Sequence, residues 1–272
     1  MSIFSAWTQR SAEFIEKRLK FDGFCTLCAC PTQNCLDLCA ACQGLLTSLQ
    51  HTDESGAQSQ VCAYCGLLSA RDRAARAHAD DGFGGSYGNI GCAACENKAQ
   101  LLVRIVAPFR YEFPLNRMIQ QMKYREQRQM GRVLGSLLAN TVRKTLMTEN
   151  FPDLLIPVPM HRNKALKRGF NQAQDIAKWC ARDLRLPVGT DCVRRIVDTE
   201  SLAGLTRAER QYRILGAFQA SAKVTGKRVA IVDDVLTTGS TARELARELY
   251  DTGASSVELW VLARTSRRRL DD

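Results

Sequence analysis

The chain has 272 residues, 45% of them hydrophobic and 24% charged, a balance that supports a folded core with room for one α/β domain and a smaller module. Thirty-eight Lys and Arg against 28 Asp and Glu give a formal net charge of +10, which favours anionic partners such as nucleotides, phosphosugars or nucleic acid. No run of about eighteen apolar residues occurs, which excludes a spanning helix, and no stable membrane insertion is expected.

In residues 1–24, Phe4, Trp7, Phe14, Ile15 and Leu19 recur at roughly helical spacing among charged residues. The pattern predicts a short amphipathic helix. It lacks the continuous apolar core of a signal peptide, so a cytoplasmic chain is expected.

Residues 25–98 form the next unit and hold ten of the twelve cysteines. Eight of these fall in four Cys-x-x-Cys pairs: Cys25/Cys28, Cys39/Cys42, Cys62/Cys65 and Cys92/Cys95. Two intervening residues let both thiolates of a pair face one point, and a second pair completes a tetrahedral site. Four pairs predict two structural Zn²⁺ sites, a double zinc-ribbon module. A disulfide framework is the competing reading, but it needs an oxidising compartment. Spacing leaves open whether the pairs combine sequentially or cross-braced, and whether Cys30 or Cys35 replaces a ligand. Four thiolates fill the coordination sphere, so no catalysis is expected at either site. The 71–91 insertion, "RDRAARAHADDGFGGSYGNIG", reads as solvated linker between the third and fourth pairs.

Residues 99–272 change character. "LLVRIVAPFRY" predicts a strand, and "PLNRMIQQMKYREQ" a helix with Leu115, Met118, Ile119 and Met122 on one face. "MGRVLGSLLANTVRKTL" predicts a second helix, and "DLLIPVPM" a short buried strand stopped by prolines. "NQAQDIAKWCARDL" reads as a helix, "VRRIV" as a strand, "KRVAIVDDV" as a strand, "STARELARELYDTG" as a helix and "SVELWVLART" as a final strand. Strands alternating with helices indicate an α/β fold with a doubly wound parallel sheet, whose ligands bind at the carboxyl ends of the strands.

One such end carries the chemistry. Val229–Val232 is an apolar run that stops at two carboxylates, Asp233 and Asp234. Thr237, Thr238, Gly239, Ser240 and Thr241 then turn the chain into a helix. A helix N-terminus offers unpaired N–H groups and a positive dipole end, which suits a phosphate. Two carboxylates beside it would repel a phosphate but accept hydrogen bonds from ribose hydroxyls. A sugar monophosphate satisfies both halves. Helix capping alone explains Thr238 or Ser240, but not consecutive acids on the tip of an apolar strand.

Position by position, "VAIVDDVLTTGST" resembles the phosphoribosyltransferase signature. "FRYEFPLNRMIQQMKYR", "PVPMHRNKALKRGFNQA" and "GLTRAERQYRILGAF", with the four cysteine pairs, resemble the ComF family, and within it the DNA-utilisation proteins. The resemblance covers nearly the whole chain apart from the insertion after Cys65. It implies a type I phosphoribosyltransferase fold that binds 5-phosphoribosyl 1-diphosphate (PRPP), usually with Mg²⁺. Asp233 and Asp234 would be the catalytic pair on the ribose, with Thr237, Thr238, Gly239, Ser240 and Thr241 on the 5-phosphate. His161, Arg162, Lys164 and Arg168, with Lys167, would face the pyrophosphate.

Relatives carry Gln and Asn in the following loop, where this chain has Leu202 and Arg213, between and beyond Thr199, Leu205 and Arg210. The family also implies a role in DNA uptake and utilisation. That role leaves two readings open: phosphoribose transfer to an unidentified acceptor, or non-catalytic binding of single-stranded DNA together with the uptake machinery, with the PRPP site kept for regulation or as a relic. No histidine presents itself as an acceptor base, His51 and His78 lying in the cysteine-rich unit.

Overall fold

The computed structural model describes residues 23–32, 36–49, 60–69, 92, 95, 101–124, 127–198 and 214–265. Residues 1–22 of the helix expected over 1–24, Cys35, His51, His78, the 71–91 insertion and the loop carrying Thr199, Leu202, Leu205, Arg210 and Arg213 lie outside the described residues.

The cysteine-rich front contributes a short helix, α1 (Ala40–Gly44), and a small antiparallel pair, β1 (Gln60–Val61) and β2 (Leu68–Ser69). Thereafter come β3 (Ile105–Val106), β4 (Phe109–Arg110), α2 (Leu115–Tyr124), α3 (Gln129–Thr145), β5 (Leu154–Pro157) and α4 (Arg162–Arg168). They are followed by α5 (Gln172–Leu184), β6 (Val193–Arg195), β7 (Phe218–Ala220), β8 (Arg228–Leu236), α6 (Ser240–Asp251) and β9 (Ser256–Arg264).

The main sheet is parallel throughout. β9 lies between β8 on one side and β3 and β4 on the other, and β5 pairs with the far edge of β8. The expected strand "LLVRIVAPFRY" is therefore two short strands interrupted at Ala107 and Pro108, each paired with β9. A proline has no N–H for a ladder, which accounts for the break. "VRRIV" departs further from expectation. Its strand, β6, pairs antiparallel with β7 in a separate two-stranded sheet and takes no place in the parallel one.

Alternation along the central strands divides the core into two layers. Ala230, Val232, Trp260 and Leu262 pack on one face with Met118, Leu134 and Ile176 of α2, α3 and α5. Val229, Ile231, Leu259 and Val261 pack on the other with Leu245 and Leu249 of α6 and Phe218 of β7. Both faces are covered, so these strands read as continuous apolar runs. Full burial of each such Leu, Ile or Trp contributes about 1.5–3 kcal/mol against leaving it exposed.

The expected face of α2 is buried throughout: Leu115, Met118, Ile119 and Met122 are all at most 1% exposed. α3 approaches α5 closely because Gly135 faces it; a Cβ there would lie 2.6 Å from the Trp179 Cβ. Asn171 caps α5 by accepting from the Ala173 N–H at 3.1 Å, and its Nδ2 donates to the Val158 carbonyl at 3.0 Å. That pair of bonds ties the start of α5 to the end of β5.

The cysteine-rich front is built into this core. Cys25, Leu38 and Cys42 lie in the same apolar cluster as Met118, Leu134 and Trp260. Asp37 forms a buried ion pair with Arg132 of α3 at 3.0 Å.

Candidate functional site

β8 runs apolar as far as Val232 because both its faces are covered, and its next two residues fall just past the end of the β5 ladder while β9 still pairs the strand as far as Leu236. Strand alternation sends Asp233 and Asp234 to opposite faces. Asp234, on the α2 face, meets the Lys123 ammonium at 2.6 Å. Burial alone would lower the Lys123 pKa, but the Asp234 carboxylate outweighs it and raises the value above that of an ordinary lysine. Asp233 is pushed up to about 7, first by burial and then by the negative charge of Asp234. The two carboxylates thus feel each other's charge across the strand, and that of Asp233 is pushed up towards neutrality.

Beyond the dyad, Thr237 to Gly239 form the loop and Ser240 opens α6. Gly239 has φ +75°, a left-handed conformation that side chains rarely adopt, and an added Cβ would lie 2.9 Å from Arg243 Nη1. Thr238 Oγ1 accepts from the Ser240 N–H at 3.4 Å, and the two hydroxyl oxygens lie 3.1 Å apart. Arg243, one turn into α6, donates back to the Thr238 carbonyl at 2.7 Å. Ser240 is buried, Thr237 is exposed, and Thr238 and Thr241 lie between these extremes. The five residues expected to cradle an anion are therefore one continuous turn at a helix N-terminus.

The basic segment after β5 is the short helix α4 rather than an open turn. Lys164, exposed on α4, senses Lys123, Arg195 and Asp234, and partial desolvation and then the neighbouring cations Arg168 and Arg195 lower its pKa. Arg168 Nη1 donates to Gln172 Oε1 at 2.9 Å, anchoring the end of α4 to α5. His161 Nδ1 lies 3.1 Å from Asp198 Oδ2. Arg162 is exposed, and no side-chain bond to another described residue holds it. Lys164 and Arg168 thus share the electrostatic neighbourhood of the dyad, while His161 is engaged with Asp198.

Two further cations complete that neighbourhood, and neither was among the residues singled out from sequence. Lys123 follows Ile119 by four positions, so a charged side chain sits on the core-facing stripe of an amphipathic helix, which is the signal that could have revealed it. Arg195 shares its strand face with buried Val193, again a charge at an inward position. Burial pulls the Arg195 pKa down, while Asp198 and Asp233 draw it back up.

The cysteines resolve into two sets, Cys25/Cys28/Cys39/Cys42 and Cys62/Cys65/Cys92/Cys95, with the four sulfurs of each within 4.8 Å of one another. The pairs therefore combine sequentially. Cys30 is exposed and belongs to neither set. Cys28 and Cys39 sulfurs lie 3.7 Å apart, and those of Cys65 and Cys92 3.8 Å. A tetrahedron built on zinc–sulfur bonds of about 2.3 Å has edges of about 3.8 Å. Backbone N–H groups aim at the sulfurs, from Cys42 to Cys39 at 3.4 Å and from Cys92 to Cys62 at 3.2 Å. Burial raises the Cys25 thiol, but N–H donors from Cys39, Cys28 and Leu27 outweigh it and bring it down to about 6. Both sets fit zinc, and these eight thiolates would hold it.

The second set is linked through one side chain to the start of the 237–241 turn. Arg264, at the end of β9, donates from Nε to the Cys65 carbonyl at 2.9 Å and from Nη1 to the Leu236 carbonyl at 2.9 Å. The same Nη1 also bonds the Thr237 carbonyl.

Over 233 residues the chain is 30% identical to competence protein F of Haemophilus influenzae, covering 83% of this chain and 96% of that protein. The chain belongs to the competence protein F family. Its similarity to the DNA utilization protein YhgH of Escherichia coli is 28% identity over 250 residues, covering 91% of this chain and 99% of that one. A family model described as a phosphoribosyl transferase domain matches residues 164–272, which include the greater part of α4, the dyad and the 237–241 turn. Together with the parallel sheet, this identifies the type I phosphoribosyltransferase fold. A purine phosphoribosyltransferase structure from Pyrococcus horikoshii is 20% identical over 48% of this chain and 70% of that one, with a TM-score of 0.31, too low to add to the argument.

Proposed function

We propose that this family member binds PRPP and serves DNA uptake and utilisation, transferring phosphoribose to an acceptor. The observation that carries the reading is the juxtaposition at the end of β8: two carboxylates, then a phosphate-sized turn at the N-terminus of α6. Asp233 and Asp234 accept hydrogen bonds from the ribose hydroxyls, and Thr237 to Thr241 donate to the 5-phosphate. Lys164, Arg195 and Lys123 bring positive charge to the side where the pyrophosphate leaves, with His161, Arg162 and Arg168 around them.

In the transfer, the bond from C1 of the ribose to the pyrophosphate oxygen breaks with its electron pair, and the acceptor's lone pair forms the new bond to C1. The acceptor's proton passes to solvent. The ionised dyad lies near the positive charge that develops on the ring. Mg²⁺, when bound with PRPP, neutralises pyrophosphate charge. The eight clustered cysteines hold two structural zinc ions.

Pyrophosphate release on incubation with PRPP, Mg²⁺ and pooled nucleobases or amines tests transfer. Release that persists in the Asp233→Asn/Asp234→Asn double variant would place the chemistry elsewhere. The exposed cations Arg162, Lys164 and Lys167 on α4 and the net charge of +10 also suit a second reading, non-catalytic binding of single-stranded DNA. That reading requires an affinity that falls steeply with salt. No measurable binding at low salt would eliminate it.

A further inference from the structure

Arg264 is a buried cation, 7% exposed. Its Nε bonds the Cys65 carbonyl of the second cysteine cluster, and its Nη1 bonds the carbonyls of Leu236 and Thr237 where β8 passes into the phosphate loop. The Leu236 carbonyl also accepts from the Thr265 N–H at 3.1 Å. Packing follows the same route. Gly66, directly after Cys65, faces Leu236, Ile105 and the Arg264 side chain, which an added Cβ would meet at 3.4–3.7 Å. The Ile105 N–H bonds the Ala63 carbonyl inside the same knuckle at 2.8 Å.

We propose that Arg264 is the positioning residue of the phosphate loop and that it couples this loop to metal in the Cys62/Cys65/Cys92/Cys95 cluster. The coupling runs through peptide planes. The Leu236 carbonyl and the Thr237 N–H belong to one planar trans peptide, and the Thr237 carbonyl and the Thr238 N–H to the next. A guanidinium that holds both carbonyls fixes both planes, turning the Thr237 and Thr238 N–H groups away from itself. These are the first two N–H groups of the proposed anion cradle. The guanidinium is planar and its donors are fixed in a fork, so the Nε bond to the Cys65 carbonyl, with the Nη1 contacts to the Thr265 carbonyl and Oγ1 at 3.3 Å, aims it. Metal holds the knuckle that presents the Cys65 carbonyl. A knuckle without metal releases that carbonyl, and the fork loses one of the contacts that aim it.

Coupling of this kind is reciprocal: a phosphate ligand that favours the aimed loop must favour metal in the second cluster by the same factor. The ligand part rests on the PRPP reading above, whereas the loop's dependence on metal does not.

The test uses the full zinc-loaded chain, with ribose 5-phosphate and magnesium pyrophosphate as separate probes in calorimetry. Arg264→Met, with zinc content unchanged, is expected to weaken ribose 5-phosphate binding at least about tenfold while changing pyrophosphate binding less than about twofold; a merely structural role would weaken both alike. Arg264→Lys, which restores one donor, should recover part of the loss. Competition with a chromophoric chelator should show saturating ribose 5-phosphate tightening one of the two zinc ions in the natural chain, and neither in Arg264→Met.

Cys92→Ser leaves the Cys65 carbonyl in the sequence but removes a metal ligand. It is expected to raise amide hydrogen exchange at residues 237–241, and this readout needs neither ligand binding nor an Arg264 variant that folds. Unchanged exchange there would overturn the coupling. A natural chain that binds no ribose 5-phosphate, yet shows the exchange change, would sink the PRPP reading and leave the coupling standing.

Discussion

In the first cysteine cluster, Cys25 and Cys42 are buried among Met118, Leu134 and Trp260, and the nearby Asp37 pairs with Arg132 of the long helix α3. The second cluster, with the same four-thiolate set, instead sends the Cys65 carbonyl to Arg264 and through it to the Leu236 carbonyl at the start of the 237–241 turn. The two sites have one coordination chemistry and different mechanical attachments. A structural metal stabilises whatever its knuckles touch, so zinc in the first set would brace the core and zinc in the second would brace the loop proposed to hold a ligand. Equal chemistry therefore does not imply equal consequences of losing it.

The contrast breaks most visibly when each site loses a ligand. Apparent binding energies of structural zinc sites, about 10–16 kcal/mol, match or exceed the 5–15 kcal/mol total stability of a typical domain. Cys42→Ser is expected to abolish recovery of folded protein. Cys92→Ser should retain the cooperative melt of the parallel sheet, followed by circular dichroism. If both variants unfold alike, the division of labour is wrong. Next in size is the buried ion pair of the first region. Arg132→Met leaves Asp37 buried without this partner and should cost about 3–5 kcal/mol in urea unfolding, with ligand affinity unchanged.

The acidic dyad sharpens the comparison from the other side. Burial raises Asp233 to about 7, above its value in the unfolded chain. The sign follows from linkage: the folded state takes up the proton more readily, so this group's stabilising contribution is lost as pH rises through 7. Asp233→Asn, which cannot ionise, should therefore raise Tm by a few degrees at pH 8, with a smaller gain at pH 5. Ligand binding has the opposite dependence, because ribose hydroxyls need the ionised carboxylate. PRPP affinity should rise about tenfold from pH 6 to pH 8 on this account, and the part due to Asp233 should vanish in Asp233→Asn. The smallest expected effect is that of Lys123→Met, which removes the cation beside Asp234. It should move the midpoint of that pH dependence upward.

Much of this was legible in the sequence, for identifiable reasons. β8, β9 and β5 are buried on both faces, so they stand out as unbroken apolar runs. The stripe of α2 and the turn from Asp233 to Thr241 depend on residues adjacent in the chain. Cys-x-x-Cys spacing exposed the knuckles, but their sequential combination depends on where two distant segments dock, and spacing carries no such information. Arg264 was invisible for the same reason: it is 199 residues from the Cys65 carbonyl it binds. Lys123 and Arg195 were missed because each sits inside a segment whose periodicity had already been explained by packing. β6 was misplaced because three residues of strand-like composition do not reveal which partner they pair with.

The central claim is that the end of β8 holds a phosphorylated ribose. Calorimetric titration of the zinc-loaded chain with PRPP and Mg²⁺ at pH 8, repeated on Asp233→Asn/Asp234→Asn, tests it most directly. The account predicts one saturable site in the natural chain and none in the double variant. No heat of binding in the natural chain, or equal affinity in both, would contradict it.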